Sequence, residues 1–361
     1  MPKLILHVGP GKCGSSSIQK FFATQKKPCI NKTRYIKLSP PEITEFNCED
    51  PDKSIRASFE KLISKNLSGC DALILSHEIL FKSPYTIRNI CSLAQNLATK
   101  IIIVGYSRRQ SDFLVSSYSQ WLFRSRDRIN EVANVLDELT IDSHLFTGLE
   151  KQIIASIAND FYSARQLSGH DILDWNKSYT AIFQLAHEFG AEIKCGVLPN
   201  KKSDTPLIQD FYAKSELTAH NKTKDTIPVV TNQSFNQDVV EAINLAVTLG
   251  FELPERKKGN KIIQTLSSKM DPVKKISSAF LSNLKAYIDT YYLDSNRQLC
   301  THYGLDQTYF KPSKNISKPE ILEIIKQEAH TRSLNTTDTL RNYQMLSAKM
   351  AELCVKLAKD D

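Results

Sequence analysis

At 361 residues, with 41% hydrophobic and 24% charged side chains, the chain can bury a sizeable core and has the balance of a folded globular protein. Its formal charge of +8 favours an anionic ligand but is too modest to mark a nucleic-acid binder, and no run approaches the ~20 apolar residues of a membrane span. Eight cysteines, at 13, 29, 48, 70, 91, 195, 300 and 354, show neither a C-x-x-C pair nor metal-ligand spacing, so a reducing, cytoplasmic setting is expected.

The chain opens on an apolar run, Leu4-Ile5-Leu6-His7-Val8. It breaks into Gly9-Pro10-Gly11-Lys12-Cys13-Gly14, and Ser15-Ser16-Ser17 then lead into Ile18, Phe21 and Phe22 at helical spacing. The pattern predicts a buried strand, a tight glycine loop and a helix whose first turn is all hydroxyls. The apolar run is short and passes straight into the loop, so it reads as a strand and not as a signal peptide. The free N–H groups of a first helical turn point at one spot, and the helix dipole makes that spot positive, which suits a phosphate or sulfate. Gly11 and Gly14 lack Cβ atoms and tolerate positive φ, which lets the backbone wrap closely around such an anion, and Lys12 adds a charge. Taken alone, the loop also reads as an ordinary glycine turn beside a core strand.

The next strand is predicted over residues 34–38, followed by a loop over 42–53 and a helix over 54–67 that ends near Gly69. Ala72-Leu73-Ile74-Leu75 is a compact buried strand that delivers Ser76-His77-Glu78 at its end. A helix over 86–98 leads to the β-branched run Ile101-Ile102-Ile103-Val104. Short buried strands alternating with helices predict a parallel sheet covered on both faces, with ligands beyond the carboxyl ends of the strands. Those ends are Gly9 to Ser17, Ser76 to Glu78, and Tyr106 to Arg109. Arg108 leaves a strand and Ser116 lies two turns into the following helix, so the guanidinium and the hydroxyl are expected to converge on a phosphate. Arg108 and Arg109 read equally as caps paired with Asp112.

The order of these residues decides which anion. A nucleotide-triphosphatase loop reads G-x-x-x-x-G-K-[ST], whereas here position 15 is Ser and the lysine stands two residues before Gly14. Lys12-Cys13-Gly14-Ser15-Ser16 resembles the 5′-phosphosulfate loop of sulfotransferases that use 3′-phosphoadenosine 5′-phosphosulfate (PAPS). Arg108 to Tyr118 resembles the same family's 3′-phosphate motif, Arg-x7-Ser-x-Tyr, with Asp112 in its usual place. Further along, the segment from Asp174 to Gly190 and the strand 193–198 resemble the unit that follows that motif. Asn232-Gln233-Ser234 before a helix over 235–249, then Asp294 to Arg297 with Tyr309-Phe310, resemble the end of its domain.

The resemblance implies a three-layer α/β/α fold with a central, mainly parallel sheet, P-loop NTPase-like, over residues 1–312, with a helical extension over 313–361. It implies transfer of a sulfuryl group from PAPS to an acceptor hydroxyl or amine, with no metal required. Gly11, Lys12, Cys13, Gly14, Ser15, Ser16 and Ser17 would hold the phosphosulfate, and Arg108 and Ser116 the 3′-phosphate. Lys12 would also meet the developing charge. Glu78 matches the Ser-x-Glu pattern of carbohydrate sulfotransferases and is the first choice as base, and His77 is the other; neighbours on a strand point opposite ways, so one of the two faces the acceptor. His7 reads as a core histidine. The acceptor expected is a carbohydrate or glycoconjugate. A P-loop phosphotransferase using ATP and a non-catalytic nucleotide-binding module are the alternatives.

Three basic or amphipathic stretches stay outside this frame. Residues 119–145, with Arg124, Arg126 and Arg128, read as a lid for an acidic or sulfated acceptor or as a solvated helix face. Residues 254–275, including Arg256-Lys257-Lys258-Gly259, read as a solvated loop. Helices are expected near 319–330 and 338–358, where Tyr343, Leu346, Met350, Leu353 and Leu357 have the spacing of a coiled-coil seam that would pair two copies or dock on the protein itself.

Overall fold

The structure is a computed structural model; it describes residues 2–24, 32–161, 167, 170–199, 206–218, 235–250, 252, 256–269 and 278–335. The fold is α/β, with a five-stranded, all-parallel sheet in the order β2-β3-β1-β4-β5. The strands are β1 (Lys3–His7), β2 (Thr33–Lys37), β3 (Ala72–Ser76), β4 (Lys100–Ser107) and β5 (Ala191–Val197). In chain order the helices begin with α1 (Ser15–Ala23), α2 (Pro40–Glu45), α3 (Lys53–Leu67), α4 (Pro84–Ala94) and α5 (Gln110–Tyr118). Then come α6 (Arg126–Glu138), α7 (Gly148–Phe161), α8 (Trp175–Ala186), α9 (Leu207–Lys214) and α10 (Gln237–Thr248). The last are α11 (Arg256–Lys269), α12 (Ala279–Tyr291), α13 (Leu293–Tyr303) and α14 (Lys318–Leu334). Among the described residues no helix is long and apolar enough to cross a membrane.

The chain forms two compact units, each assembled from three stretches. The first comprises Met1–Arg109, Ile172–Asn232 and Leu293–Phe310; the second comprises Gln110–Asp171, Gln233–Tyr292 and Lys311–Asp361. Residues 1–312 are therefore distributed over both units.

The first unit holds the sheet. Its inner strands carry continuous apolar runs because both faces are covered: Leu4, Ile5, Leu6, Leu73, Ile74, Leu75, Ile102, Ile103 and Val104 are all fully buried. Central β1 sets the register, with Leu4 opposite Leu73 and Ile101, and His7 opposite Ser76 and Val104. The connection from β1 to β2 runs toward one edge, whereas β2 to β3, β3 to β4 and β4 to β5 run toward the other. Right-handed crossovers then place α1 on one face and α3, α4 and α8 on the opposite one. The packing agrees: α4 lies against both α3 and α8, and α9 lies on α1.

The second unit is built of helices pinned by carboxylates. Asp289 of α12 accepts the Ser111 N–H (3.1 Å) and hydroxyl (2.9 Å) at the start of α5. Glu241 of α10 accepts the Gly148 and Leu149 N–H groups at 2.8 and 3.3 Å, satisfying the free amides that open α7. Arg332 of α14 grips Glu150 bidentately at 2.8 and 3.0 Å. Gly148 is a glycine by necessity, because a Cβ there would overlap the Tyr118 hydroxyl and Asn244 Oδ1. Gly148→Ala is expected to destabilise the protein by about 1–3 kcal/mol, read as a lower denaturant midpoint at unchanged slope.

The structure corrects several expectations. Residues 40–45 form α2 where a loop was expected from 42. The signal is the capping box in which Ser39 and Glu42 bond each other's backbone, with Pro40 in the first turn. Residues 256–269 form α11 instead of a solvated loop, since Ile263 and Leu266 are buried along one side. In α6, Arg128 is 7% exposed and engages Gln152 (2.9 Å) and Glu131 (3.0 Å), so this arginine belongs to the interior and not to a lid surface. The expected coiled-coil seam and Asn232-Gln233-Ser234 lie outside the described residues.

Candidate functional site

The loop after β1 leads to the α1 face, while those after β3 and β4 lead to helices on the other face, so the crevice of this sheet opens at the carboxyl end of β1. Val8 is tied to β4 through its N–H and the Val104 carbonyl (2.8 Å), and the Cys13 N–H closes a turn onto Pro10 (3.3 Å). Lys12 (φ 75°) and Gly14 (φ 90°) then both adopt left-handed conformations. For Lys12 this costs about 1–2 kcal/mol, strain of the kind that collects at ligand sites.

The loop feeds α1 without a side-chain cap, because its N-cap residue is Gly14. The Ser15 hydroxyl turns back toward the carbonyls of Gly9 (3.4 Å) and Pro10 (3.5 Å), Ser16 is exposed, and the Ser17 N–H already bonds Gly14. The Ser15 and Ser16 amides therefore stand at the positive end of the helix. Gly14 has the positive φ expected of it and a second use besides, whereas Lys12 and not Gly11 takes the other left-handed position. The space of the missing Gly14 Cβ is taken by Leu207 and Leu198, whose methyl carbons would stand 2.6 and 2.9 Å away, so this glycine serves packing as well. Cys13 is fully buried and burial pushes its thiol pKa up, leaving it protonated and inert.

Arg108 follows the end of β4. Its Nη1 lies 3.5 Å from the Lys12 carbonyl oxygen, which sets its guanidinium against the loop, and its own carbonyl accepts the Trp175 indole N–H at 2.7 Å. Arg109 turns elsewhere, donating to the Tyr309 carbonyl at 2.9 Å, while the Tyr309 hydroxyl donates to Leu198 (3.0 Å). Ser116 and Asp112 lie on α5, in the second unit: Ser116 is half-buried and Asp112 pairs with Lys285 at 3.2 Å.

At the end of β3 the strand stops at Ser76, so His77 and Glu78 do not alternate as strand neighbours. His77 caps a short 3₁₀ turn, Glu78–Lys82, by accepting the Ile79 N–H on Nδ1 at 3.1 Å. That bond needs an unprotonated Nδ1, and burial lowers the His77 pKa despite the nearby Glu78 charge. Glu78 is half-buried, with Oε2 accepting from Gln19 Nε2 at 3.0 Å. Burial acts to raise its pKa; the Gln19 bond and a backbone N–H, with the Lys37 charge, outweigh that, so the carboxyl sits below its usual range and is ionised at neutral pH. His7 is 2% exposed, with Nδ1 2.8 Å from Ser76 Oγ; burial lowers its pKa to about 4 and keeps it neutral.

No protein-family model, curated protein or solved structure matches the chain. What this end of the sheet can do is set by its own groups: the Arg108 guanidinium against the strained loop that carries Lys12 on one side, an ionised carboxylate at the neighbouring strand end. The cations and amides suit a polyanion, and the carboxylate can take a proton. Gln19 was not among the residues expected here. Its signal is a polar side chain on the stripe Ser15, Ile18, Gln19, Phe22 that α1 buries, where an amide requires partners.

Proposed function

We propose that the protein is a sulfotransferase that moves the sulfuryl group of PAPS to an acceptor hydroxyl or amine, with carbohydrate as the acceptor class. The observation that carries the reading is the approach of the Arg108 guanidinium to the loop that carries Lys12, 3.5 Å from the Lys12 carbonyl oxygen and 96 residues away in sequence, at the carboxyl end of the central strand. Either cation alone has an ordinary structural use; together with the capless start of α1 they form a donor set for a ligand with several negative charges. The order Lys12-x-Gly14-Ser15-Ser16 favours a phosphosulfate over a nucleotide triphosphate, and the Ser76-x-Glu78 resemblance supplies the acceptor class.

On this reading the acceptor oxygen forms a bond to sulfur as the bond from sulfur to the 5′-phosphate oxygen breaks. Adenosine 3′,5′-bisphosphate leaves with the electron pair, and the acceptor's proton passes to the Glu78 carboxylate. Lys12 and the Ser15 and Ser16 amides meet the charge that grows on the departing oxygen. Arg108 holds phosphate as a planar fork. Thermal shift tests the donor: a ligand at 100 times its dissociation constant adds about 2.7 kcal/mol to stability. PAPS is expected to raise the melting temperature well above ATP at equal concentration, whereas the reverse order would favour the phosphotransferase. Transfer of labelled sulfate to glycans tests the acceptor, and binding without transfer to any acceptor would point to a non-catalytic module.

A further inference from the structure

Helix α1 serves this end of the sheet twice. Its first turn opens from the loop, and one turn later Gln19, 7% exposed, reaches the end of β3. The two amide hydrogens of Gln19 meet two acceptors, Glu78 Oε2 at 3.0 Å and Ser76 Oγ at 3.4 Å, and Ser76 Oγ is in turn 2.8 Å from His7 Nδ1. Ser76 is fully buried and His7 is held neutral, so the support behind Gln19 is rigid and uncharged. The Glu78 side chain starts from a short 3₁₀ turn and has several rotamers open to it; a donor on one oxygen selects among them and leaves the other oxygen for a proton.

We propose that Gln19 is a positioning residue: its amide holds the Glu78 carboxylate in one orientation and ties it to the helix whose first turn forms the anion loop. The proposal deepens the sulfotransferase reading, since it rests on Glu78 acting as the base. An amide suits the task because it donates without titrating, and so does not compete for the proton that Glu78 receives. The other titratable groups that act on Glu78 or are acted on by it are His77 beside it, His7 on β1, and Tyr35 and Lys37 on β2. Removing the Gln19 donor leaves burial less opposed and makes the carboxylate easier to protonate.

The test is Gln19→Met, which keeps side-chain length and helix propensity but loses the donor. Affinity for adenosine 3′,5′-bisphosphate is expected to stay within about twofold while kcat at neutral pH falls about tenfold, with the acid limb of the kcat profile moved to higher pH. In a Glu78→Gln background the same substitution should cost nothing further. An equal loss in both backgrounds, or an acid limb that stays in place, overturns the proposal. A second measurement, carboxyl NMR titration of Glu78 in the unliganded chain, does not depend on the reaction. Gln19→Met should raise its midpoint, and Gln19→Glu, which sets a second carboxylate beside it, should raise it further. An unmoved midpoint refutes the hold of Gln19 on Glu78. A moved midpoint in a protein that binds no adenosine 3′,5′-bisphosphate supports that hold and overturns the sulfotransferase reading instead.

Discussion

Glu78→Gln is expected to leave the affinity for adenosine 3′,5′-bisphosphate within a few-fold and to lower kcat by about 10²- to 10⁴-fold, the range in which a positioned general base contributes. Glutamine has the same shape, and its carbonyl oxygen can still accept the Gln19 N–H that now reaches Oε2. What it cannot do is take a proton. The sign of the pH dependence follows from the direction of the Glu78 shift. A base must be ionised to act, and a carboxyl held below its usual range stays ionised further into acid, so wild-type turnover should fall only as pH drops below the ordinary glutamate range. Steady-state kinetics across pH, beside calorimetric affinities, checks both parts. Full activity in Glu78→Gln would remove this residue from the role, and His77 would not replace it through Nδ1, which already accepts the Ile79 N–H.

Lys12→Ala and Arg108→Ala should each weaken nucleotide binding by about 10- to 100-fold, the worth of a hydrogen bond between charged partners. They should differ in turnover. Lys12 stands in the loop that meets charge developing on the departing oxygen, so its loss should lower kcat as well as affinity, whereas loss of Arg108 should raise KM with a smaller change in kcat. Backbone strain offers a control. Because Lys12 has φ 75°, Lys12→Gly relieves the left-handed conformation and should raise stability by up to about 1 kcal/mol, even as it loses the ligand. A Lys12→Gly protein that is more stable and still binds would separate the lysine from the site.

The strands and the loop were legible because their signals are local. Leu4 to Leu6, Leu73 to Leu75 and Ile101 to Val104 are continuous apolar runs, which only strands covered on both faces sustain, and each ends in the residues that form the crevice. The Asp174 cap of α8 and the left-handed Gly190 beyond it were equally local. Helix α2 was legible in principle, since Ser39, Pro40 and Glu42 spell a capping box, but two adjacent prolines read first as a break. What sequence could not give is pairing at a distance. Nothing near Arg109 announces the Tyr309 carbonyl, and nothing near Gln19 announces Glu78. Gly14 shows the limit most clearly: its motif suggests a left-handed turn with room for an anion, and only the approach of Leu198 and Leu207 reveals that packing demands the glycine as well.

Isothermal titration of the intact protein with adenosine 3′,5′-bisphosphate bears most directly on the proposal that Lys12 and Arg108 serve one nucleotide site. Micromolar binding is expected, with ADP, which lacks the 3′-phosphate, binding more weakly, and with the heat lost in the double variant Lys12→Ala, Arg108→Ala. No detectable heat with the intact protein, or binding that survives in the double variant, would contradict it.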